Sequence, residues 1–177
     1  MAYLRRATGM LCALLAIAAL IVGLVIVTFF EAMNVANIQI VLKGGMAYRV
    51  QTIMGMDTEN DRGSFFTASL MEEDPAHGTM TAERNAYTDY NVRGIDHRLD
   101  MDFVWVWPQQ REVTVTVTES VPRIDGRAKG SRAEALVQAG GADAVYPPAW
   151  TDARYRVTLV QDPQTKQWRI TRITMIQ

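Results

Sequence analysis

The chain has 177 residues, of which 49% are hydrophobic and 21% are charged, and its formal net charge is −1. This length gives room for one ordinary domain and a membrane anchor. The nearly balanced charge, without a cluster of Lys and Arg later in the chain, argues against nucleic-acid binding. The single cysteine, Cys12, excludes a disulfide framework within the chain and a thiolate metal site.

An apolar run at residues 10–30 is the first predicted element, and it contains no charged side chain. At a rise of about 1.5 Å per residue, a helix of this length spans about 30 Å, the thickness of the hydrocarbon core of a bilayer. A cleaved signal peptide usually has a shorter apolar region, of about 7–15 residues, so we interpret the run as an uncleaved transmembrane helix. Because Arg5 and Arg6 precede it, the positive-inside rule predicts that residues 1–9 are cytoplasmic and residues 31–177 extracytoplasmic.

Two small residues within the apolar run, Ala19 and Gly23, are four positions apart. This spacing lets transmembrane helices pack closely, so the pair is a candidate contact in a homo-oligomer or with another membrane protein. The alanine-rich composition of the run favours the simpler interpretation, in which both residues face lipid.

The segment after the run begins with a helical pattern. Apolar residues recur at steps of three and four over residues 31–56, which predicts a linker or first helix. The adjacent Gly44 and Gly45 predict a bend in it. Residues 57–61 form a polar break, and residues 62–71 predict a short helix with one apolar side.

Strands are predicted in the rest of the chain, where apolar and polar residues alternate. After a weak signal at residues 86–92, residues 95–107 alternate clearly, and residues 112–121 (EVTVTVTESV) give the strongest strand prediction. These two runs predict an antiparallel hairpin. Residues 126–149 interrupt the pattern as an insertion with a short helix. A second predicted hairpin consists of residues 150–161 and 167–176.

Helices grouped at one end and strands at the other predict an α+β fold. The helices are expected to pack on one face of a curved antiparallel sheet, within an extracytoplasmic domain formed by residues 57–177.

The predicted strand at residues 95–107 has an apolar face, because residues two apart point to the same side. That face consists of Ile95, His97, Leu99, Met101, Phe103, Trp105 and Trp107. A sheet presents such a face to its helices, so we expect Trp105 to be buried. Trp107 and Pro108, at the end of the strand, are predicted to be partly exposed and are a candidate contact with a partner.

The domain resembles the nuclear-transport-factor-two-like (cystatin-like, SnoaL-like) superfamily. The resemblance rests on the leading helical segment, the piece SFFTASL at residues 64–70, the long hairpins and the closing strand QWRIT at residues 167–171. It covers residues 37–177 and implies a cone-shaped domain. Together with the anchor, the chain is similar to inner-membrane scaffold proteins of type IV secretion and to their Gram-positive conjugation relatives, which are assembly factors rather than catalysts.

Enzymes of this superfamily place acid and base groups inside the cone. Histidine exchanges protons near neutral pH, so an alternative interpretation is a ligand-binding or catalytic pocket lined by His97, Met101, Phe103 and Trp105. The competing interpretation is a structural histidine near the start of the strand. The chain offers no triad of defined spacing that would complete an active site.

Two acidic groups are candidate cation sites. Asp96, Asp100 and Asp102 share a strand face with Arg98, but alternate side chains lie about 6.6–6.8 Å apart along a strand, too far for one compact site. The segment EEDPAH at residues 72–77 is interpreted as an acidic surface loop. The sequence therefore predicts neither a metal nor a cofactor.

The expected function is that of a membrane-anchored, non-catalytic scaffold or binding module in a bacterial envelope assembly of the secretion, conjugation or sporulation type. The expected partners are the lipid bilayer, other envelope proteins and a second copy of the chain. The alternatives are a membrane-tethered enzyme or small-ligand binder, and an accessory subunit of a membrane enzyme.

Overall fold

A single helix, α1, takes up the N-terminal part of the chain. In the computed structural model, which describes residues 2–56, 62–73 and 86–176, α1 runs without a break through Ala2–Ile53. Its apolar residues 10–30 are exposed on all sides. The segment Gly9–Ile53 is long and apolar enough to cross a membrane.

The second half of α1 buries one stripe of side chains, as expected for a helix that packs on a domain. The buried residues are Glu31, Asn34, Ile38, Leu42, Met46, Tyr48, Arg49, Val50 and Ile53. The same helix therefore includes the apolar run and one wall of the core.

Four antiparallel strands form an open sheet in the order β1-β2-β3-β4. The strands are β1 Tyr90–Met101, β2 Glu112–Ala128, β3 Ala153–Gln161 and β4 Trp168–Met175. The shorter helices are α2 Ala68–Glu73 and α3 Gly130–Gly140, with 3-10 turns at Arg62–Ser64 and Ala142–Val145. The predicted α+β class with an N-terminal helix is confirmed.

The core lies between α1 and the inner face of the sheet. On β2 the valines alternate inward while threonines point outward, because successive side chains of a strand face opposite sides. The inward residues of the sheet include Val113, Val115, Val117, Tyr155, Val157, Leu159, Trp168 and Ile170. Both predicted hairpins are present, β1 with β2 and β3 with β4.

Several predicted boundaries are wrong. The strand expected at residues 95–107 already ends at Met101, and the preceding weak strand at residues 86–92 joins it from Tyr90 onward. β2 continues to Ala128, well past the expected end. In the expected helix at residues 62–71, Phe66 instead pairs with Ile170 of β4. The helix resumes at Ala68 and the insertion contains α3.

α1 continues as a helix through Gly44 and Gly45, where the sequence predicts a bend. The two glycines allow a close approach of neighbouring segments. A Cβ on Gly45 would lie 2.7 Å from Ile170 Cδ1 and 3.3 Å from Phe65 Cβ, and one on Gly44 would meet the Phe65 ring. The absence of side chains there lets β4 and the segment before α2 pack directly on the helix.

We expect Gly45→Ala to lower the free energy of unfolding by up to about 2 kcal/mol, because overpacking costs about 1–3 kcal/mol and alanine returns about 1 kcal/mol of helix preference. Thermal unfolding of the full chain in detergent measures this. Gly23→Ala is the matched control, because a Cβ there has no neighbour within 4 Å. Equal stability of the two variants would contradict the close-packing argument.

The turn between β3 and β4 is closed by Asp162. Its Oδ1 accepts hydrogen bonds from the backbone N–H groups of Gln164, at 2.8 Å, and Thr165, at 2.9 Å. These hydrogen bonds, with a smaller contribution from the charge of Arg169, lower the pKa of Asp162 below its ordinary value. The ionised carboxylate is thus the form that the turn favours.

Asp162→Ala is expected to lower the melting temperature more at pH 7 than at pH 3. A carboxyl whose pKa is lower in the folded chain stabilises it fully above the ordinary pKa, and this contribution is lost as the pH falls through the folded value. Melting curves of the wild type and of the variant over this pH range provide the measurement. A difference in melting temperature that stays constant with pH would contradict the prediction.

Candidate functional site

A buried charge cluster, formed by Arg49, His97 and Glu119, joins α1 to two strands. Glu119 is fully buried on β2, and its two carboxylate oxygens have different partners. Oε2 lies 3.4 Å from an Arg49 guanidinium nitrogen, and Oε1 lies 3.0 Å from His97 Nε2. The side chains of Arg49 and His97 are 5% and 7% exposed. The cluster is therefore closed to solvent.

The strands position this cluster through an irregular register. β1 and β2 shift against each other between Asp96 and Arg98, opposite the segment that contains Pro122. Proline lacks the N–H that a ladder needs, and such bulges redirect the side chains beside them. His97 stands at this shift, and beyond it Leu99 pairs with Glu119.

Arg49 is held from a second side as well. Its guanidinium carbon lies 4.8 Å from the centre of the Tyr155 ring, a distance typical of a cation–π contact. Since a carboxylate paired with a guanidinium only accepts hydrogen bonds, His97 Nε2 is the donor to Glu119. The arrangement satisfies a buried carboxylate with two donors. Chemically it suits the fixing of α1 on the sheet, because no substrate reaches a fully buried carboxylate without opening the core.

The structure does not bring the four residues of the predicted pocket together on one buried face. His97 points into the charge cluster and Met101 is half-buried, whereas Phe103 is 88% and Trp105 43% exposed. The prediction that Trp105 is buried is wrong. The pairing of this segment with β2 ends at the hydrogen bond from Asp102 N to Thr116 O. Beyond this point the even-numbered side chains face inward, instead of the odd-numbered ones.

The segment between β1 and β2, residues 102–111, is called the aromatic loop below. Val106 is its buried residue, and its N–H donates to Glu31 Oε1 at 2.7 Å. Trp105 and Trp107 lie on either side of Val106, and their rings make an edge-to-face contact with centroids 5.7 Å apart. Trp107 is 56% exposed, so the loop presents both indoles to the outside.

The remaining candidate contacts are also on the surface. Pro108 is exposed next to Trp107. Ala19 and Gly23 are exposed on α1, where a Cβ on Gly23 would have no neighbour within 4 Å. All three residues are thus accessible at the surface of the described part of the chain.

Two of the three aspartates, Asp96 and Asp102, form ion pairs with arginines. Asp96 lies 2.7 Å from Arg98, whose pKa it raises through a hydrogen bond and its charge, and Asp102 lies 2.7 Å from Arg154. Among the described residues there is no group of three or more His, Cys, Asp or Glu side chains placed to hold a metal. Asp74 and His77 of the predicted acidic loop lie outside the described residues.

A surface groove of about 360 Å³ lies at the opposite end of the sheet, near α3. Its lining includes Asn91, Arg93, Asp125, Arg127 and Lys129. None of the predicted pocket residues contributes to it.

Comparisons of the chain with protein-family models, with curated proteins and with solved structures found no match in any of the three. The resemblance to the nuclear-transport-factor-two-like superfamily thus stays a prediction.

Proposed function

We propose that the protein is a single-pass membrane protein that holds a non-catalytic α+β domain close to the extracytoplasmic surface of the membrane, as a scaffold or binding module of an envelope assembly. The observation that carries this proposal is the continuity of α1. One helix of 52 residues includes the apolar run and then forms a wall of the domain core. The domain is held by a stiff element rather than by a linker.

The polar interior supports a holding role. The buried polar side chains of this region bind to one another or to backbone across element boundaries: Glu119 to α1 and β1, and Glu31 to the aromatic loop. Such contacts fix the helix against the sheet. An active site would instead direct some of these groups into a cleft that a substrate can enter.

Membrane topology is tested by cysteine labelling of the full chain in intact cells. With Cys12 replaced by alanine, Ser131→Cys on exposed α3 is expected to react with a membrane-impermeant maleimide, because residues 31–177 are proposed to be extracytoplasmic. Thr8→Cys, before the apolar run, is the matched control and should react only after the cells are opened. The reverse pattern would contradict the proposed orientation, and labelling of both sites in intact cells would contradict the anchor.

The scaffold role is tested by photo-crosslinking in cells that naturally contain the protein. A photoreactive residue at Thr118 on the outer sheet face, at Gln138 on α3 or at Trp107 should give discrete adducts with envelope proteins or a second copy. The buried position Val157 is the control that should give none. Absence of adducts at all exposed positions would contradict a scaffold. If the only adduct were with a membrane enzyme, the result would contradict a scaffold and support the role of an accessory subunit.

A further inference from the structure

We propose that the aromatic loop rests on the bilayer, with the indoles of Trp105 and Trp107 in the lipid headgroup layer beside the point where α1 leaves the membrane. The proposal depends on the proposed function, because it requires that the apolar run spans the bilayer. It adds a second membrane contact to the domain, made by a loop that is distant from α1 in sequence.

The first support is the exposure of this particular pair of indoles. The other two tryptophans, Trp150 and Trp168, are 8% and 2% exposed, whereas Trp105 and Trp107 are 43% and 56% exposed. Large aromatic side chains normally supply burial energy, and two exposed neighbours form an apolar patch of the kind that marks a contact surface. Tryptophan is enriched at the membrane–water interface, where an apolar ring and a polar N–H are both satisfied.

The second support is the level of the loop along α1. Glu31 directly follows the apolar run, and its carboxylate holds Val106, the residue between the two tryptophans. The hydrocarbon core is about 30 Å thick and the headgroups add about 5–8 Å on each side, so a run that fills the core places Glu31 in the headgroup layer. Consecutive Cα atoms are about 3.8 Å apart, which keeps both indoles near this level.

The third support is the burial of Glu31 at the end of the apolar run. On α1, Phe29 is 68% and Phe30 39% exposed, so the helix surface directly before Glu31 is apolar. Glu31 itself is 8% exposed and binds the loop through Val106. The loop thus covers a carboxylate that would otherwise stand at the edge of the hydrocarbon.

The charges at this end of the sheet fit a headgroup layer. Trp168 Nε1 lies 3.5 Å from Asn34 Oδ1, and Gln161 N donates to Arg111 O at 2.7 Å, so the β3–β4 turn lies beside the aromatic loop. The charged residues of this end are Arg111, Glu112, Asp162, Lys166 and Arg169. Arg111 and Lys166 are exposed cations, Glu112 is an exposed anion, and Asp162 and Arg169 lie 3.8 Å apart as a pair. Such cations interact favourably with lipid phosphates.

The test uses the full chain reconstituted in phosphatidylcholine vesicles that contain lipids brominated near the carbonyl end of the acyl chains. Bromine quenches tryptophan at close range. We expect quenching of roughly half of the emission, because two of the four tryptophans are exposed at the proposed interface. Trp105→Phe with Trp107→Phe should remove this quenching and leave the melting temperature nearly unchanged, and lipids brominated near the methyl end should quench the wild type less.

A probe in the apolar run separates this proposal from the anchor. Phe29→Trp, added to the variant without the two loop tryptophans, reports whether α1 is in the bilayer. If this probe is quenched but the loop tryptophans of the wild type are not, the anchor stands and the loop contact with the bilayer is overturned. The two indoles would then belong to a surface that contacts protein. Absence of quenching at the probe would overturn the anchor and the loop contact together.

Discussion

Replacing Glu119 with glutamine is expected to lower the free energy of unfolding by about 3–5 kcal/mol, the cost of breaking a buried ion pair by removing one of its charges. The variant keeps the size of the side chain but leaves the Arg49 guanidinium, 5% exposed, without its carboxylate. His97 Nε2 also loses a charged acceptor. Chemical unfolding of the full chain in detergent, followed by far-ultraviolet circular dichroism, gives the change in free energy.

A double variant provides the control for this prediction. Removing both charges with Arg49→Met and Glu119→Gln should restore part of the lost stability, because two neutral side chains are easier to bury than one unpaired charge. Asp96→Asn, which breaks an exposed pair with Arg98, should change stability by less than about 1 kcal/mol. If Glu119→Gln is no more harmful than Asp96→Asn, the cluster does not fix α1 on the sheet.

Trp168→Ala is expected to cost about 3–5 kcal/mol, the range for truncating a buried aromatic side chain. Trp168 is 2% exposed, packs in the core under α1 and directs its Nε1 towards Asn34 Oδ1. The truncation removes a large apolar area from the helix–sheet contact and leaves a cavity that the surrounding strands fill only in part. The same unfolding measurement, with circular dichroism as the signal, avoids dependence on the removed fluorophore.

Trp107→Ala is the matched control, with the same residue type and the same change. Because Trp107 is 56% exposed, its truncation is expected to alter stability in detergent by less than about 0.5 kcal/mol. A large loss for Trp107→Ala would mean that this indole supports the fold rather than an outer surface. A small loss for Trp168→Ala would contradict its place in the core.

The sheet could be predicted because its alternation is regular. Val113, Val115 and Val117 face inward on β2 as the sequence pattern indicates, and both hairpins form. Which side chains of the aromatic loop face inward could not be predicted from the alternation of the sequence. It depends on a contact between Val106 and Glu31, which are 75 positions apart in the chain.

The charge cluster was missed, although the sequence contained a signal for it. Glu119 continues the inward alternation of the β2 valines, and Arg49 lies within the apolar stripe of α1. Two opposite charges on two apolar faces that must pack together predict a buried pair. His97 was identified on the correct face, but its partner becomes visible only when the register of β1 and β2 is known.

The unbroken course of α1 has a consequence for how the domain is aimed. Each helical residue adds about 1.5 Å of rise and about 100° of rotation. Inserting one residue between Phe30 and Glu31 would therefore barely lift the domain, yet it would turn the sheet by more than a quarter of a circle relative to the apolar run. For the proposed membrane anchor, the number of residues in α1 thus sets the direction in which the domain faces around the membrane normal.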